Sequence, residues 1–319
     1  MENTTNTNEQ PNIQQLGGHI IDLRRLVDPN NKHWCATNPS IGHHPKKGYV
    51  AAIRSSNYVI LANGKYDVTE GNTIQSQVWF SELDKDMKCK DLRQIDVSGV
   101  GVYLNRGLED PKIFWRDNAW HFTCVMMEQG HTPVARMAIA KLDSKCKKIV
   151  SIEKFAGIDA KRPEKNWMLP SEPNPNFDFI YGPNMTIKDG VLSTWMTDNP
   201  DISMLRGNTN LHSLGDGTYL GVMHRTYINN KTIYSPTTFG TTLVHERTYV
   251  HYFVKFDTKG HIVSLSKGFI FYKPGVEFAA GLVAKDKNFL ISFGRWDMSS
   301  HIAVLPIDTV LKSLQPVNY

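Results

Sequence analysis

The sequence predicts an all-β protein of the propeller kind, on three observations: hairpins with similar turns recur, a polar residue stands at the exit of each, and helix signals are nearly absent. In a propeller, blades of antiparallel strands pack radially and their loops converge at one end of a central channel. A two-sheet β-sandwich is the alternative, because strand alternation alone does not separate the two architectures.

The hairpins follow in order. Ile41-Gly-His-His-Pro-Lys-Lys-Gly48 leads into Tyr49-Val-Ala-Ala-Ile53 and then Arg54. Residues 112–115 and 119–126 read as two apolar strands joined by Arg116-Asp117-Asn118, where Asp and Asn favour a tight reversal. Asn184-Met-Thr-Ile-Lys-Asp-Gly190 leads into Val191-Leu-Ser-Thr-Trp-Met196 and then Asp198. Leu211-His-Ser-Leu-Gly-Asp-Gly217 leads into Thr218-Tyr-Leu-Gly-Val-Met223, then His224 and Arg225. The last unit, Gly281-Leu-Val-Ala-Lys-Asp-Lys-Asn288, leads into Phe289-Leu-Ile-Ser-Phe293 and then Asp297. Outer strands are expected at 77–80, 135–140, 249–256 and 301–305, with one short helix at 309–314. The turns near 190 and 217 are too close for a full blade between them, so either one blade is short or two hairpins share one.

Composition bounds the function. A chain of 319 residues with 40% hydrophobic side chains fills a sizeable core, and no run of about 18 apolar residues offers a membrane span. The polar start, Met1-Glu-Asn-Thr-Thr-Asn-Thr-Asn-Glu-Gln10, reads as part of a disordered leader over 1–17 rather than a signal peptide, leaving 18–319 as a single catalytic domain. Cys35, Cys89, Cys124 and Cys146 stand at no metal-ligand spacing and read as reduced thiols of a cytoplasmic protein. The 12 histidines show no metal-binding arrangement either, so no metal and no cofactor is expected. A net charge of +5 spread along the chain gives no footprint for a nucleic-acid partner. The 12 tyrosines and 7 tryptophans suit a carbohydrate partner, whose rings pack on aromatic faces, though aromatics also fill β cores.

The second hairpin holds the chemistry-bearing stretch: two adjacent carboxylates, Glu109 and Asp110, at the mouth of an apolar hairpin, with Pro111 fixing the backbone after them. Gly107-Leu-Glu-Asp-Pro-Lys-Ile113 resembles the Gly-x-Glu-Asp-Pro-Arg-Ile signature of the mannoside phosphorylases, inverting five-bladed propellers, and of their hydrolase and mannosyltransferase relatives. Asn38-Pro-Ser-Ile41 with Arg54 is similar to the first-blade Asn-Pro-Ala and Arg of that family. Gly217-Thr-Tyr-Leu-Gly-Val-Met-His224 is similar to the fourth-blade Asp-Gly-Trp-Leu…His, and Ser292-Phe-Gly-Arg-Trp-Asp297 to the last-blade Tyr-Tyr-Gly-x-x-Asp. The matches fall in order over residues 34–312.

The resemblance implies a five-bladed β-propeller that inverts an anomeric centre, with Asp110 as proton donor and Glu109 beside it. The chemistry agrees, because a carboxyl next to a second carboxylate holds its proton more readily. It further implies that Asn38, Arg54 and Asp297 hold the hydroxyls of the sugar at the cleavage point, a task an arginine fork and a short carboxylate suit; Asp198 and His224, at the exits of their own hairpins, are the other candidate substrate-binding residues. One departure stands out. The family places a phosphate-binding His-Arg pair at the third-blade strand end, and the matching stretch, Phe179-Ile-Tyr181-Gly-Pro-Asn184, lacks the arginine. Lys165, Arg206 and Arg225 offer replacement charge for inorganic phosphate or the diphosphate of a sugar nucleotide. The expected activity is a glycoside phosphorylase or glycosyltransferase on β-mannoside-like sugars, with simple hydrolysis behind both. The alternative, a non-catalytic glycan-binding propeller, fits less well, because the exit residues differ from hairpin to hairpin instead of repeating.

Overall fold

Strands buried on both faces need a layer on either side, and the strands of this chain find it in one another. Cys35–His44 and Gly48–Ser56 are buried almost throughout, without in-and-out alternation. The computed structural model describes residues 10–23, 34–60, 66–69, 71, 73–100, 106–128, 134–155, 163–195, 199–235 and 240–317.

Five sheets are arranged as blades. Blade 1 runs Cys35–His44, Gly48–Ser56, Ser76–Glu82, Arg93–Gln94, and blade 2 runs Leu108–Arg116, Ala119–Glu128, Val134–Leu142, Ile149–Lys154. Blade 3 is the short one, with Phe179–Gly182, Met185–Lys188 and Val191–Thr194. Blade 4 has a broken inner strand, Arg206–Gly207 and His212–Ser213, followed by Tyr219–Ser235, Gly240–Phe256 and Ile262–Leu265, with Gln315–Pro316 on its outer edge. Blade 5 runs Glu277–Lys285, Asn288–Arg295, Ser299–Pro306, and its outer strand is the N-terminal His19–Asp22. The early strand thus closes the ring from the far end of the sequence. The expected helix is present as Ile307–Ser313.

Five apolar layers fill the gaps, one at each blade junction. Ala52, Phe80, Ile113 and Phe122 join blades 1 and 2; Phe114, Met137, Trp167 and Phe179 join blades 2 and 3. Ile180, Leu205, Met223 and Phe256 join blades 3 and 4; Val222, Phe253, Phe289 and Phe293 join blades 4 and 5. Ile41, Ile53, Leu290 and Ile302 close the ring between blades 5 and 1. Each fully buried Phe or Ile contributes about 1.5–3 kcal/mol, so side-chain packing between blades, rather than hydrogen bonds between them, holds the ring together.

Two expectations need adjusting. Of the stretch read as a disordered leader, residues 1–9 lie outside the described residues, while 10–17 pack on the body: Ile13 is fully buried in the layer between blades 4 and 5, and Asn12 bridges Ile270. The apolar Ile13 supplies the anchor that the polar composition concealed. The strand expected at 249–256 is the end of a much longer one, since Tyr219–Ser235 and Gly240–Phe256 pair over 17 residues each. Its polar, Thr-rich middle gave no strand signal.

Four inner strands carry a bulge at matching depth, where the ladder shifts register: Thr37/Ser40, Glu109/Lys112, Ile180/Gly182 and Ala279/Gly281. A bulge turns a side chain out of the pleat and into the channel. Ser40 stitches three blades at this level, donating from Oγ to Ala280 O (3.1 Å) while accepting from the Ile113 amide (2.9 Å).

Candidate active site in the central channel

Asn38 and Asp110 occupy equivalent bulges of blades 1 and 2, each in the left-handed region (φ 44° and 47°) and each followed by a proline. Asn and Asp tolerate that region better than other non-glycine residues, and the proline pins the chain after them. Trp296 and Asp297, at the turn of blade 5, are left-handed as well (φ 54° and 50°). Such strain, on the order of 1–3 kcal/mol per residue, persists only where the surroundings enforce it, and it gathers at functional sites. Part of the enforcement is glycine: a Cβ on Gly294 would fall on Oδ1 and N of Asn38, and one on Gly107 (φ 72°) would fall on the Ser76 carbonyl.

Five of the sequence-predicted residues come together. Asn38 Nδ2 donates to Asp110 Oδ1 (2.8 Å) and to Asp297 Oδ1 (3.3 Å). Arg54, almost wholly buried, donates from Nη1 to Asp110 Oδ1 (3.1 Å), and its Nη2 lies 3.6 Å from Glu109 Oε1. Two residues absent from the sequence reading complete the network. Tyr58 OH donates to Asp297 Oδ2 (2.8 Å) and accepts from Arg54 Nη2 (3.0 Å), and Ser76 Oγ accepts from Arg54 Nε (2.9 Å). Tyr58 follows Arg54 by one strand switch, and Ser76 opens the next strand; neither position carries a sequence signal, because the docking of loops onto the channel selects both. Burial pushes the Asp297 carboxyl up, with Arg54 pulling against it and Asp110 adding to the rise. Burial likewise raises the Tyr58 phenol far above its ordinary range, so it remains a hydroxyl donor.

Both bonds to Asp110 end on Oδ1. Asn38 and Arg54 are donors only, so a proton on this carboxyl belongs on Oδ2, which has no hydrogen-bond partner among the described residues. Asp110 is thus oriented by one oxygen and available through the other.

Across the channel, blade 4 presents His224, buried, with Nδ1 hydrogen-bonded to Asn208 Oδ1 and the ring stacked on Tyr249 at 4.4 Å. Burial first, then His251, Arg206, Lys112 and Lys165, hold the imidazole well below its usual range. It is neutral at physiological pH, and with Nδ1–H donated, Nε2 is an acceptor. Arg206 is its cross-strand partner. Arg206 and Lys165 are both exposed and act on the same ring, whereas Arg225, next along the strand, points to the other face and lies over Tyr227 at 5.1 Å. Arg225 therefore does not join the other two. Lys112, inside the resembled signature but not singled out by it, does: it is buried and donates from Nζ to Trp167 O (2.8 Å). Asp198 lies outside the described residues.

No group of three or more His, Cys, Asp or Glu side chains among the described residues is placed to hold a metal ion. Among the described residues, no helix is long and apolar enough to cross a membrane. Two cavities lie elsewhere, about 340 Å³ beside Arg116, Phe155 and Asp178 and about 550 Å³ beside Leu16, Phe269 and Val310; neither is lined by the channel residues.

No family model matches this chain, and a search of curated proteins by sequence finds no match. Solved structures do match. A β-1,2-mannobiose phosphorylase from Listeria innocua, solved with β-1,2-mannobiose, superposes with a TM-score of 0.59 at 13% identity, over 90% of this chain and 94% of that one. MPT-4, a mannose phosphorylase from Leishmania mexicana solved with a phosphate ion, gives 0.53 at 12% identity, over 95% and 93%. A glycosyl hydrolase from Bacteroides ovatus gives 0.54 at 12% identity, over 89% and 86%. The channel of this protein is accordingly built on the same five-bladed propeller as mannoside phosphorylases and related hydrolases.

Proposed function

We propose that the protein is a carbohydrate-active enzyme that inverts an anomeric centre, as a glycoside phosphorylase or glycosyltransferase on β-mannoside-like sugars. The observation that carries this reading is Asp110, held by Asn38 and Arg54 through one carboxylate oxygen while the other has no hydrogen-bond partner among the described residues. In cleavage, Asp110 Oδ2 gives its proton to the leaving oxygen as the C–O bond breaks, and a nucleophile bonds to the anomeric carbon from the opposite face. In transfer to a hydroxyl acceptor, the same oxygen takes the acceptor's proton. Asn38, Arg54, Tyr58 and Asp297 supply fixed donors and acceptors for the hydroxyls of the sugar at the cleavage point, and the exposed Tyr66, edge-on to Tyr58 at 5.0 Å, offers a ring face at the rim.

The opposite side favours an anionic co-substrate over water. Lys112, Lys165 and Arg206 bring positive charge to the surroundings of His224, which suits phosphate or a sugar nucleotide diphosphate. The phosphate ion in the MPT-4 structure and the phosphorylase activity named for the Listeria protein support the same reading. Glycan binding without chemistry is the weaker alternative, since it leaves the oriented carboxyl without a task. The deciding experiment incubates the protein with a panel of β-mannosides, with and without phosphate, and with sugar-nucleotide donors, following sugar released or joined. Phosphate-dependent release identifies a phosphorylase, and donor-dependent elongation a transferase. Release by water alone indicates a hydrolase, and binding with no turnover indicates a lectin.

A further inference from the structure

Lys112 occupies the position at which the resembled signature has arginine, and the difference is chemical as well as steric. An arginine in a protein does not give up its proton, whereas a buried lysine does so readily. Lys112 is 2% exposed and spends one of its N–H donors on Trp167 O at 2.8 Å. It forms no ion pair among the described residues. The charged and titratable groups around it are few. Asp110 precedes it on the same strand and favours the ammonium; on blade 4 the neutral ring of His224 feels the charge of Lys112 together with that of Arg206 and Lys165. The linker before blade 3 contributes the Trp167 carbonyl, and Asn210 Nδ2 holds the backbone carbonyl of Lys112 at 3.4 Å. The amine is therefore held by a backbone carbonyl two residues along the strand from the acid, with donor capacity to spare and no ion pair among the described residues.

We propose that Lys112 is a proton-gated anion contact: an oxyanion entering between Asp110 and His224 is bound as the Lys112 amine takes up one proton from solvent. The step forms one N–H bond, converting the neutral amine to ammonium, and breaks none in the ligand. It rests on the reading that the channel admits phosphate or a diphosphate. Burial brings the Lys112 ammonium down to about 7, Asp110 opposing the shift, so the empty site loses its charge as pH rises past neutrality. A dianion favours the charged form, and the proton is taken up over the interval between the free and the bound titration.

The test uses sulfate, whose charge is constant from about pH 6 to about pH 9, and calorimetry in two buffers of different ionisation enthalpy. The intact protein should bind sulfate with an affinity that falls close to tenfold per pH unit above neutrality, with uptake approaching one proton. Lys112→Arg should bind with no such pH dependence and no uptake, and Lys112→Met should bind weakly with no uptake. Repeating the titration with inorganic phosphate and with a nucleoside diphosphate tells which source of the oxyanion the site prefers. Should Lys112→Arg fold poorly, carbon-13 lysine NMR of the intact protein replaces it: one lysine should titrate near neutrality, move upward with sulfate, and vanish in Lys112→Met. Sulfate binding without proton uptake, or with uptake unchanged in Lys112→Arg, or lysines that all titrate in the ordinary range, would overturn the assignment and leave the oxyanion site standing. If none of the three anions binds at millimolar concentration, the anionic co-substrate and the gate fall together.

Discussion

The two sides of the channel are built on opposite plans. Where blades 5, 1 and 2 meet, Arg54 is buried against Asp110, Glu109, Tyr58 and Ser76, and Asn38 ties Asp110 to Asp297, so every charge has a partner and the backbone is strained to hold it. Toward blades 3 and 4, Lys112 of blade 2 has one carbonyl acceptor, on the linker before blade 3, and exposed Lys165 and Arg206 form no ion pair among the described residues. A pre-organised wall suits a proton in flight and a sugar held in one pose; an under-neutralised wall suits a charge that arrives with the substrate. Removing a group from the first wall should cost stability, and removing one from the second should cost ligand affinity instead.

Arg54→Met gives the largest expected effect. It strands two carboxylates and a phenol that the guanidinium now serves, so it should lower the unfolding free energy by about 3–5 kcal/mol in chemical denaturation; a loss below about 1 kcal/mol would mean the network is not held by Arg54. Gly294→Ala should come next, at about 1–3 kcal/mol, since the added methyl displaces Asn38 and with it the seat of Asp110; sugar affinity should fall together with thermal stability. On the second wall the sign reverses. The folded Lys112 titrates near 7 against 10.5 for an ordinary lysine, so its destabilising contribution is full below pH 7 and fades as pH rises toward 10.5. Lys112→Met should therefore raise the melting temperature more at about pH 6 than at about pH 9; an equal gain at both would show that the amine does not titrate between them. Arg206→Ala, at an exposed position, should change stability by no more than about 0.5 kcal/mol while weakening phosphate or nucleoside diphosphate binding.

The same division governs what was legible in the amino-acid sequence. Asn38, Arg54, Asp110 and Asp297 could be found because their bulges and turn need particular residue types: a short polar side chain before proline, or an Asp in a left-handed turn with a glycine three residues earlier at Gly294. The recurring hairpins likewise exposed the propeller, since a short turn between two apolar strands is a local property. Tyr58 and Ser76 were hidden because their roles come from how a loop docks on the channel, and Lys112 because its importance depends on burial by blades 3 and 4. The outer strand His19–Asp22 carries no such local signal: it pairs with Ser299–Pro306, and nothing local announces a partner so distant in the chain.

Asp110→Asn tests most directly whether Asp110 carries the proton. The amide keeps the shape and an acceptor for Asn38 and Arg54 but cannot donate and regain an acidic proton. Turnover of unactivated β-mannosides should fall roughly a hundredfold or more with sugar binding retained, and activated leaving groups, which need less protonation, should recover much of the loss. Full activity of Asp110→Asn on every substrate would contradict a proton-carrying role and remove this residue from the mechanism.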